Sequence, residues 1–399
     1  MKVLFINTVC GTGSTGRIVV DLYHMLEKKG HICMVGYGRG TCPKDVNGVR
    51  IGTDWDMYMH GIKTRLMDRE GFGSRNATKR FIEKVKEFEP DIIHLHNIHG
   101  YYIHIPTLFE YMYKAKVKVI WTLHDCWAFT GHCSHYDYIG CQKWKTGCYK
   151  CQQKKEYPRS IFLDSSKKNY KEKKYWFNLI EDMTVITPSK WLENQVRSSF
   201  FCTEKILTIW NGIDINKFAI YDDVEIREKY NLNDKKILLG VANVWTEKKG
   251  LEEFIHLSNI LSNEIQLILI GVSKRIKKKL PKNIIAIEHT NSIEELAEFY
   301  SVADVFVNLT LEDTFPTTNL EALSCGTPVI TFDTGGSPES ITEKCGRVIQ
   351  KNEINRIPEL VYQLGNRREE CRKRAIVFKK EERYKEYMKV YKIEGKRNE

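Results

Sequence analysis

Short apolar runs alternate with longer amphipathic stretches along this chain, and they do so in two separate series. In the first, "KVLFINT" and "HICMVGYG" read as strands with the helical "GRIVVDLYHMLEKKG" between them. "RNATKRFIEKVKEFEP" is an amphipathic helix leading into the strand "DIIHLHN". "IPTLFEYMYKA" is a helix, and "VKVIWTLHD" and "MTVITPS" are strands. The second series holds "KKILLGVAN", "IQLILIGV", "NIIAIEH", "ADVFVNLT" and "TPVITFD", again with helices between. Alternation at this spacing predicts parallel sheets with helices on both faces. The polar stretch "NGIDINKFAIYDDVE", with its Asn-Gly pair, reads as the connection between the series. The expected fold is α/β: two Rossmann-like doubly wound domains facing a cleft, residues 1–206 and 207–377. The closing helix, 378–399, is expected to pack back on the first domain.

Open α/β sheets bind their ligands where strands give way to helices. One such junction, "EDTFPTTNLEALSCGTP", carries Asp313 and, eight residues on, Glu321. The strand "ADVFVNLT" precedes it, and a helix closed by Gly326 and Pro328 follows. Asp313 can accept a sugar's hydroxyls on the strand side, and Glu321, two turns into the helix, those of a ribose. Between them the N–H groups of Phe315, Pro316's neighbours Thr317 and Thr318, and Asn319 stand at a helix start, fit for phosphate or sugar. A second junction, "WTEKKG", puts Lys248 and Lys249 at the mouth of a helix, where ammonium groups suit a diphosphate. Together these imply a nucleotide joined to a sugar.

The first series has its own junctions. "GTGSTG" matches G-x-G-x-x-G after the first strand, as a dinucleotide fingerprint would. The second strand ends in "VGYGRG", which lacks the acid a dehydrogenase uses on the ribose, so a Rossmann-type oxidoreductase is the alternative rather than the main reading. The turn instead offers Gly13, Thr15, Gly16 and Arg17 to the cleft. "HLHNIHGYYIH" holds His94, His96, His99 and His104; His96 and Asn97 at the strand end read as polar groups lining the cleft, with a metal cluster the competing reading. His124 in "WTLHDCW" ends another strand and is the active-site candidate.

Composition bounds the rest. Apolar residues make up 42% of the 399-residue chain, ordinary for a globular protein. The N-terminus reads as a first strand rather than a signal peptide, and no apolar run is long enough to span a bilayer, so a cytoplasmic protein is expected. Cys33 and Cys325 lie in apolar runs as small hydrophobes. Cys133, Cys141, Cys148 and Cys151, with one C-x-x-C pair, suit a structural zinc site, buried free thiols or disulfides. The net charge is +11, and residues 143–174 hold eleven basic and three acidic residues, an excess of eight positive charges. That run is either a solvated helix face or a surface for anionic lipid, a phosphate-bearing substrate or nucleic acid. Tyr170, Tyr175, Trp176 and Phe177 are interleaved with it.

Taken together, "EDTFPTTNLEALSCGTPVI", "NGID", "EKKG", "IEELAEFYSVADVFV" and "TGGSPE" resemble retaining family 4 glycosyltransferases of the GT-B fold. "NTVCGTGSTGRI", "HLHNIHGYY", "LHDCWAFTGHC" and "ITPSKWLENQV" resemble a bacterial subgroup that builds exopolysaccharide and lipopolysaccharide. The resemblance implies that the second domain binds a nucleotide-sugar donor: Lys249 at the diphosphate, Asp313 at the sugar, Glu321 at the ribose, His124 near the transferred sugar. It implies that the first domain binds a glycan or lipid-linked glycan acceptor, that no catalytic metal is needed, and that the anomeric configuration is retained. The first acid of the signature is Asp313 rather than Glu, with Glu312 beside it, and the family's Arg before the lysine is absent from "VANVWT", leaving Lys248 to supply the second charge. A peripheral position on the inner face of the membrane is expected, and no nucleic-acid partner.

Overall fold

A computed structural model describes residues 1–201, 205–221, 224–232 and 234–392. The chain divides into two compact units, Met1–Ile209 with Glu386–Glu399, and Trp210–Lys385. Each is a parallel sheet with helices between its strands, as the two series predict.

The first unit contains β1 (Lys2–Val9), β2 (Ile32–Arg39), β3 (Gly48–Arg50), β4 (Ile92–Leu95), β5 (Lys118–Thr122), β6 (Met183–Thr187) and β7 (Ile206–Thr208), ordered β3-β2-β1-β4-β5-β6-β7. Val3 to Ile6, Ile92, Ile93 and Val119 to Trp121 are all buried. These strands are covered on both faces, so they read as continuous apolar runs rather than alternating ones. Strand order reverses between β1 and β4, which opens a crevice at their carboxyl ends. The second unit contains β8 (Lys236–Val241), β9 (Ile265–Ile270), β10 (Ile284–Ile287), β11 (Val305–Asn308), β12 (Val329–Phe332) and β13 (Gly346–Ile349), ordered β10-β9-β8-β11-β12-β13. Its reversal falls between β8 and β11, the strands that lead into "WTEKKG" and "EDTFPTTN". The sequence pattern missed β3, β7 and β13, edge strands of three or four residues that a neighbour's backbone recruits.

The basic run around residue 170 differs from the expectation. It forms the helix Ser166–Phe177, whose Tyr170 and Phe177 are buried in the core. Phe177 packs on Phe109 and edge-on to Trp121, each at 4.8 Å between centroids. Lys173 is buried too: its ammonium donates to the carbonyls of Trp127 (2.7 Å) and Thr130 (3.1 Å) and lies 3.4 Å from the centre of the Trp127 ring. Burial pushes its pKa down to about 7. Two of the four aromatics and one of the lysines of this segment are therefore core residues and cannot meet a bilayer.

The closing helix is Lys380–Tyr391, and residues 393–399 of the expected helix lie outside the described residues. Within the first unit the Tyr391 hydroxyl bonds His94 Nδ1 at 2.6 Å, and Lys118 donates to the Val390 carbonyl at 2.7 Å. Among the described residues no helix is long and apolar enough to cross a membrane.

Candidate active site

In the second unit, two lysines meet two carboxylates where β8 and β11 end. Lys248 Nζ lies 2.8 Å from Glu312 Oε1, and Lys249 Nζ lies 2.8 Å from Asp313 Oδ2. The lysine turn reaches β11 because Gly250 has φ +80° and no side chain: a Cβ there would stand 2.2 Å from the Leu309 carbonyl. Leu311 N–H and the Thr310 hydroxyl then both donate to the Lys248 carbonyl, at 2.9 and 3.2 Å. Asp313 beside it holds the Lys249 ammonium protonated above the ordinary lysine range.

Asp313 is fixed from two sides. Its Oδ1 accepts the Phe315 N–H at 3.2 Å, and its carbonyl accepts from Gly336 N–H at 3.3 Å. Gly335, φ +55°, approaches so closely that a Cβ would fall 1.7 Å from that carbonyl, which is why "TGGSPE" needs glycine there. The helix Thr317–Ser324 starts at Pro316, whose side chain gives its first N–H groups no cap. Thr317 and Thr318 are half-buried, whereas Phe315, Pro316 and Asn319 are buried. Asn319 is a strut rather than an open group, accepting from Asn308 (2.8 Å) and donating to Ser340 (2.9 Å). Glu321 Oε2 accepts from the hydroxyl of buried Tyr300 at 2.9 Å. Burial and this carboxylate push the Tyr300 pKa far up, so it stays a donor.

Sequence reasoning missed Tyr300, which orients Glu321, and the pairing of Glu312 with Lys248. It also missed Thr334 and Ser337, whose buried hydroxyls, like Glu312 Oε2, have no hydrogen-bond partner among the described residues. The one available signal was their place in "TGGSPE" and "EFYSVADVFV".

In the first unit the groups at the ends of β1, β4 and β5 come together. Asn97 N–H donates to Asn7 Oδ1 at 3.1 Å, and the Thr8 hydroxyl donates to the Asn97 carbonyl at 3.1 Å. His96 Nδ1 and His124 Nε2 are 2.9 Å apart. Burial lowers the His124 pKa to about 4 and holds that of His96 well below the usual histidine range, so both are neutral near pH 7. The glycine turn opens the helix Gly13–Glu27. Gly13 (φ +64°) faces open space, while a Cβ on Gly16 would press on Val9 and the Gly11 backbone at 3.1 Å. Arg17 is exposed and folds back to donate to the Gly13 carbonyl at 3.2 Å, and Thr15 stands half-buried near Asn7. Asp125 pairs not with His124 but with His99 (2.8 Å), whose other nitrogen bonds the Tyr157 hydroxyl at 2.8 Å. Burial opposes ionisation of Asp125, but His99, together with His135 and the Trp127 N–H, more than offsets it and holds the pKa down to about 2.

The other histidines separate. His94 is a core residue between Tyr391 and Thr122, and His104 caps the helix Ile105–Ala115. Of the four cysteines, Cys133 is buried and Cys141, Cys148 and Cys151 half-buried, and all four are free thiols. Cys148 Sγ accepts the Gly131 N–H at 3.1 Å. Hydrogen bonding from Cys133 lowers the Cys151 pKa to about 7 against the effect of burial. Among the described residues no group of three or more His, Cys, Asp or Glu is arranged to hold a metal ion.

Comparison with known proteins gives the family of the chain. Residues 15–217 match the Glycosyltransferase Family 4 model, and residues 222–382 match that of Glycosyl transferases group 1. The putative colanic acid biosynthesis glycosyl transferase WcaC of Escherichia coli K12 is 26% identical over 376 residues, 90% of each chain. Among solved structures, a glycosyltransferase from Rickettsia africae superposes with a TM-score of 0.70 at 16% identity, covering 98% of this chain and 97% of that one. Anabaena Alr3699/HepE in complex with UDP-glucose superposes at 0.69 with 13% identity, covering 98% and 99%. The paired lysines and carboxylates therefore stand in a protein of the GT-B fold, and the chain belongs to the family 4 glycosyltransferases.

Proposed function

We propose that this glycosyltransferase moves a sugar from a nucleotide-diphosphate sugar to a glycan or lipid-linked glycan, with retention at the anomeric carbon, in bacterial surface-polysaccharide assembly at the cytoplasmic face of the membrane. The observation that carries the donor reading is the double pair Lys248–Glu312 and Lys249–Asp313 at one strand exit. WcaC, a relative over nine-tenths of the chain, is described as a colanic acid enzyme, and HepE of the same fold was solved with UDP-glucose.

Without donor, each ammonium is neutralised by a carboxylate. A bound diphosphate takes over the lysines and leaves Asp313 to accept sugar hydroxyls. Lys249, held protonated, then stabilises the charge that grows on the departing diphosphate, usually the largest contribution to such catalysis. Glu321, aimed by Tyr300, accepts the ribose hydroxyls as a charged acceptor. The uncapped N–H groups at Thr317 and Thr318 face the remaining negative charge. His124, neutral at pH 7, offers a hydrogen bond rather than a charge near the transferred sugar. Gly13, Thr15, Gly16, Arg17, His96 and Asn97 receive the acceptor. No catalytic metal enters this scheme. A structural zinc at Cys133, Cys141, Cys148 and Cys151 draws no support from the arrangement of the thiols, and elemental analysis tests it: about one equivalent per chain would establish it.

The testing experiment is thermal denaturation against UDP-, GDP- and ADP-sugars. A donor at a hundred times its Kd adds about 2.7 kcal/mol to the folded state, and the nucleotide that does so identifies the donor class. No shift with any of them overturns the donor site. The anomeric proton coupling of the product, read by NMR, decides retention.

A further inference from the structure

The helix Asp54–Met67 is inside out. Its buried side chains are the polar His60 and Thr64, while Trp55, Tyr58, Met59, Leu66 and Met67 are 68, 58, 45, 43 and 46% exposed. The inner face is committed to a polar network. His60 Nε2 accepts from Gly73 N–H at 3.1 Å, and Nδ1 bonds Ser74 at 3.0 Å. The Thr64 hydroxyl donates to Glu70 at 3.4 Å, and Glu70 in turn accepts the N–H groups of Gly100 and Tyr101. The apolar stripe, spaced i, i+3, i+4 and i+11, is thereby left facing outward.

The stripe does not end with the helix. Ile161 N–H donates to the Arg65 carbonyl at 2.7 Å, Leu163 N–H to Leu66 at 3.2 Å, and the Ser165 hydroxyl to Met67 at 2.7 Å. These bonds set Ile161, Phe162 and Leu163, more than half exposed, beside the last turn. Apolar side chains scattered singly over a surface need no explanation, but eight large ones exposed on one helix and on the tip hydrogen-bonded to its last turn call for one.

The rim of this surface is basic. Lys154 Nζ donates to the Phe162 carbonyl at 3.0 Å, and Arg65, Lys155 and Arg159 are exposed around it. Arg69 ties the helix Ser166–Phe177 to the same corner through Asn169 (2.8 Å) and Glu172 (2.5 Å), and that helix exposes Lys167, Lys168 and Lys171. Of the nearby acids, Asp54 pairs with Arg50 and Asp164 accepts the N–H groups of Cys151 and Ser166, while Glu156 is exposed among the more numerous basic residues. Two copies joined through this face would oppose like charges.

We propose that this surface docks on an anionic lipid bilayer, with Trp55, Tyr58 and Phe162 entering the interfacial layer and the basic rim meeting the headgroups. The inference draws its purpose, not its observations, from the lipid-linked acceptor proposed above. It moves the contact from the basic segment as a whole, part of which is core, to the outward face of Asp54–Met67 and the 161–163 tip.

The test is co-sedimentation of the full chain with vesicles of phosphatidylglycerol and phosphatidylcholine, and with phosphatidylcholine alone. The native protein is expected to sediment with the anionic vesicles. Trp55→Gln with Phe162→Gln is expected to weaken binding at least about tenfold, which is about 1.4 kcal/mol. Lys167→Gln, Lys168→Gln and Lys171→Gln together are expected to weaken it chiefly at low salt. The proposal is overturned if the native protein ignores anionic vesicles, or if the Trp55/Phe162 variant binds them as the native does. It is also overturned if the native protein is a dimer that the Trp55/Phe162 variant dissociates, since the face then belongs to a second copy. The nucleotide-sugar thermal shift, run on each variant, reports the fold and the donor site separately: sedimentation without any donor shift leaves the surface standing and removes the enzymatic reading.

Discussion

Replacing Glu321 by Gln removes one negative charge and leaves the shape. If the ribose hydroxyls donate to this carboxylate, the donor loses a charged hydrogen bond, a loss of about 1.5–3 kcal/mol or roughly 10- to 150-fold in Kd. Glu321 is half-buried, and Gln keeps an oxygen for the Tyr300 hydroxyl 2.9 Å away. The fold should therefore lose no more than about 1 kcal/mol. Tyr300→Phe tests the same unit from behind: Tyr300 is fully buried, and without its hydroxyl Glu321 loses its orientation. A drop in donor affinity of about three- to tenfold is expected, corresponding to one ordinary hydrogen bond. Because Tyr300 acts through Glu321, its effect should shrink in the Glu321→Gln background, as coupling between contacting residues requires. Calorimetric titration of the four proteins with the nucleotide-sugar selected by thermal shift measures each corner of the cycle. Native donor affinity in a folded Glu321→Gln protein, or strictly additive effects, would refute the assignment.

Lys249→Met should lower kcat by about 10²–10³-fold with a smaller rise in donor KM, because its charge matters most as the diphosphate departs; an equal effect on both would mean uniform binding instead. Acid should destabilise the first unit in a defined window. The His94 pKa is lowered to about 3 and those of His104 and His124 to about 4, burial being the first cause in each. Between the unfolded value near 6.5 and these folded values the unfolded chain binds more protons, so stability falls as pH drops, by about 2 kcal/mol for His94 alone at pH 5. Asp125, held down to about 2, keeps its contribution between pH 7.5 and 5 and loses it only below its unfolded value near 3.8. Urea unfolding at pH 7.5 and 5 checks this, and greater stability at pH 5 would contradict it. Cys151, with its pKa lowered to about 7, should be the first of the four loop thiols alkylated by iodoacetamide at pH 7.5 and should slow markedly at pH 6, by mass spectrometry.

The sequence by itself determined the two sheets and the strand ends at which the candidate site stands. Strands buried on both faces need unbroken β-branched and aliphatic runs, so "KVLFINT", "IQLILIGV" and "ADVFVNLT" were legible without a partner. The interval from Asp313 to Glu321 was equally local, because a helix start sets how far apart those carboxylates stand. Pairing was a different matter. That Lys248 meets Glu312 and Lys249 meets Asp313 depends on a Gly250 turn reaching a strand end some sixty residues away in the chain. That Asp125 turns to His99 rather than its neighbour His124, and that Tyr300 aims Glu321, are likewise contacts between segments that periodicity treats one at a time. Periodicity also averages burial over an element, so both readings of the basic run, solvated face or anionic-ligand surface, put all of it outside, whereas Lys173 and Phe177 point into the core. The helix Asp54–Met67 was not read from the pattern at all. The apolar stripe would ordinarily mark the inner face, but Gly73, Ser74 and Glu70 claim that side for His60 and Thr64. Only a tertiary hydrogen-bond network, whose buried polar groups must all find partners, could decide which way that helix turned.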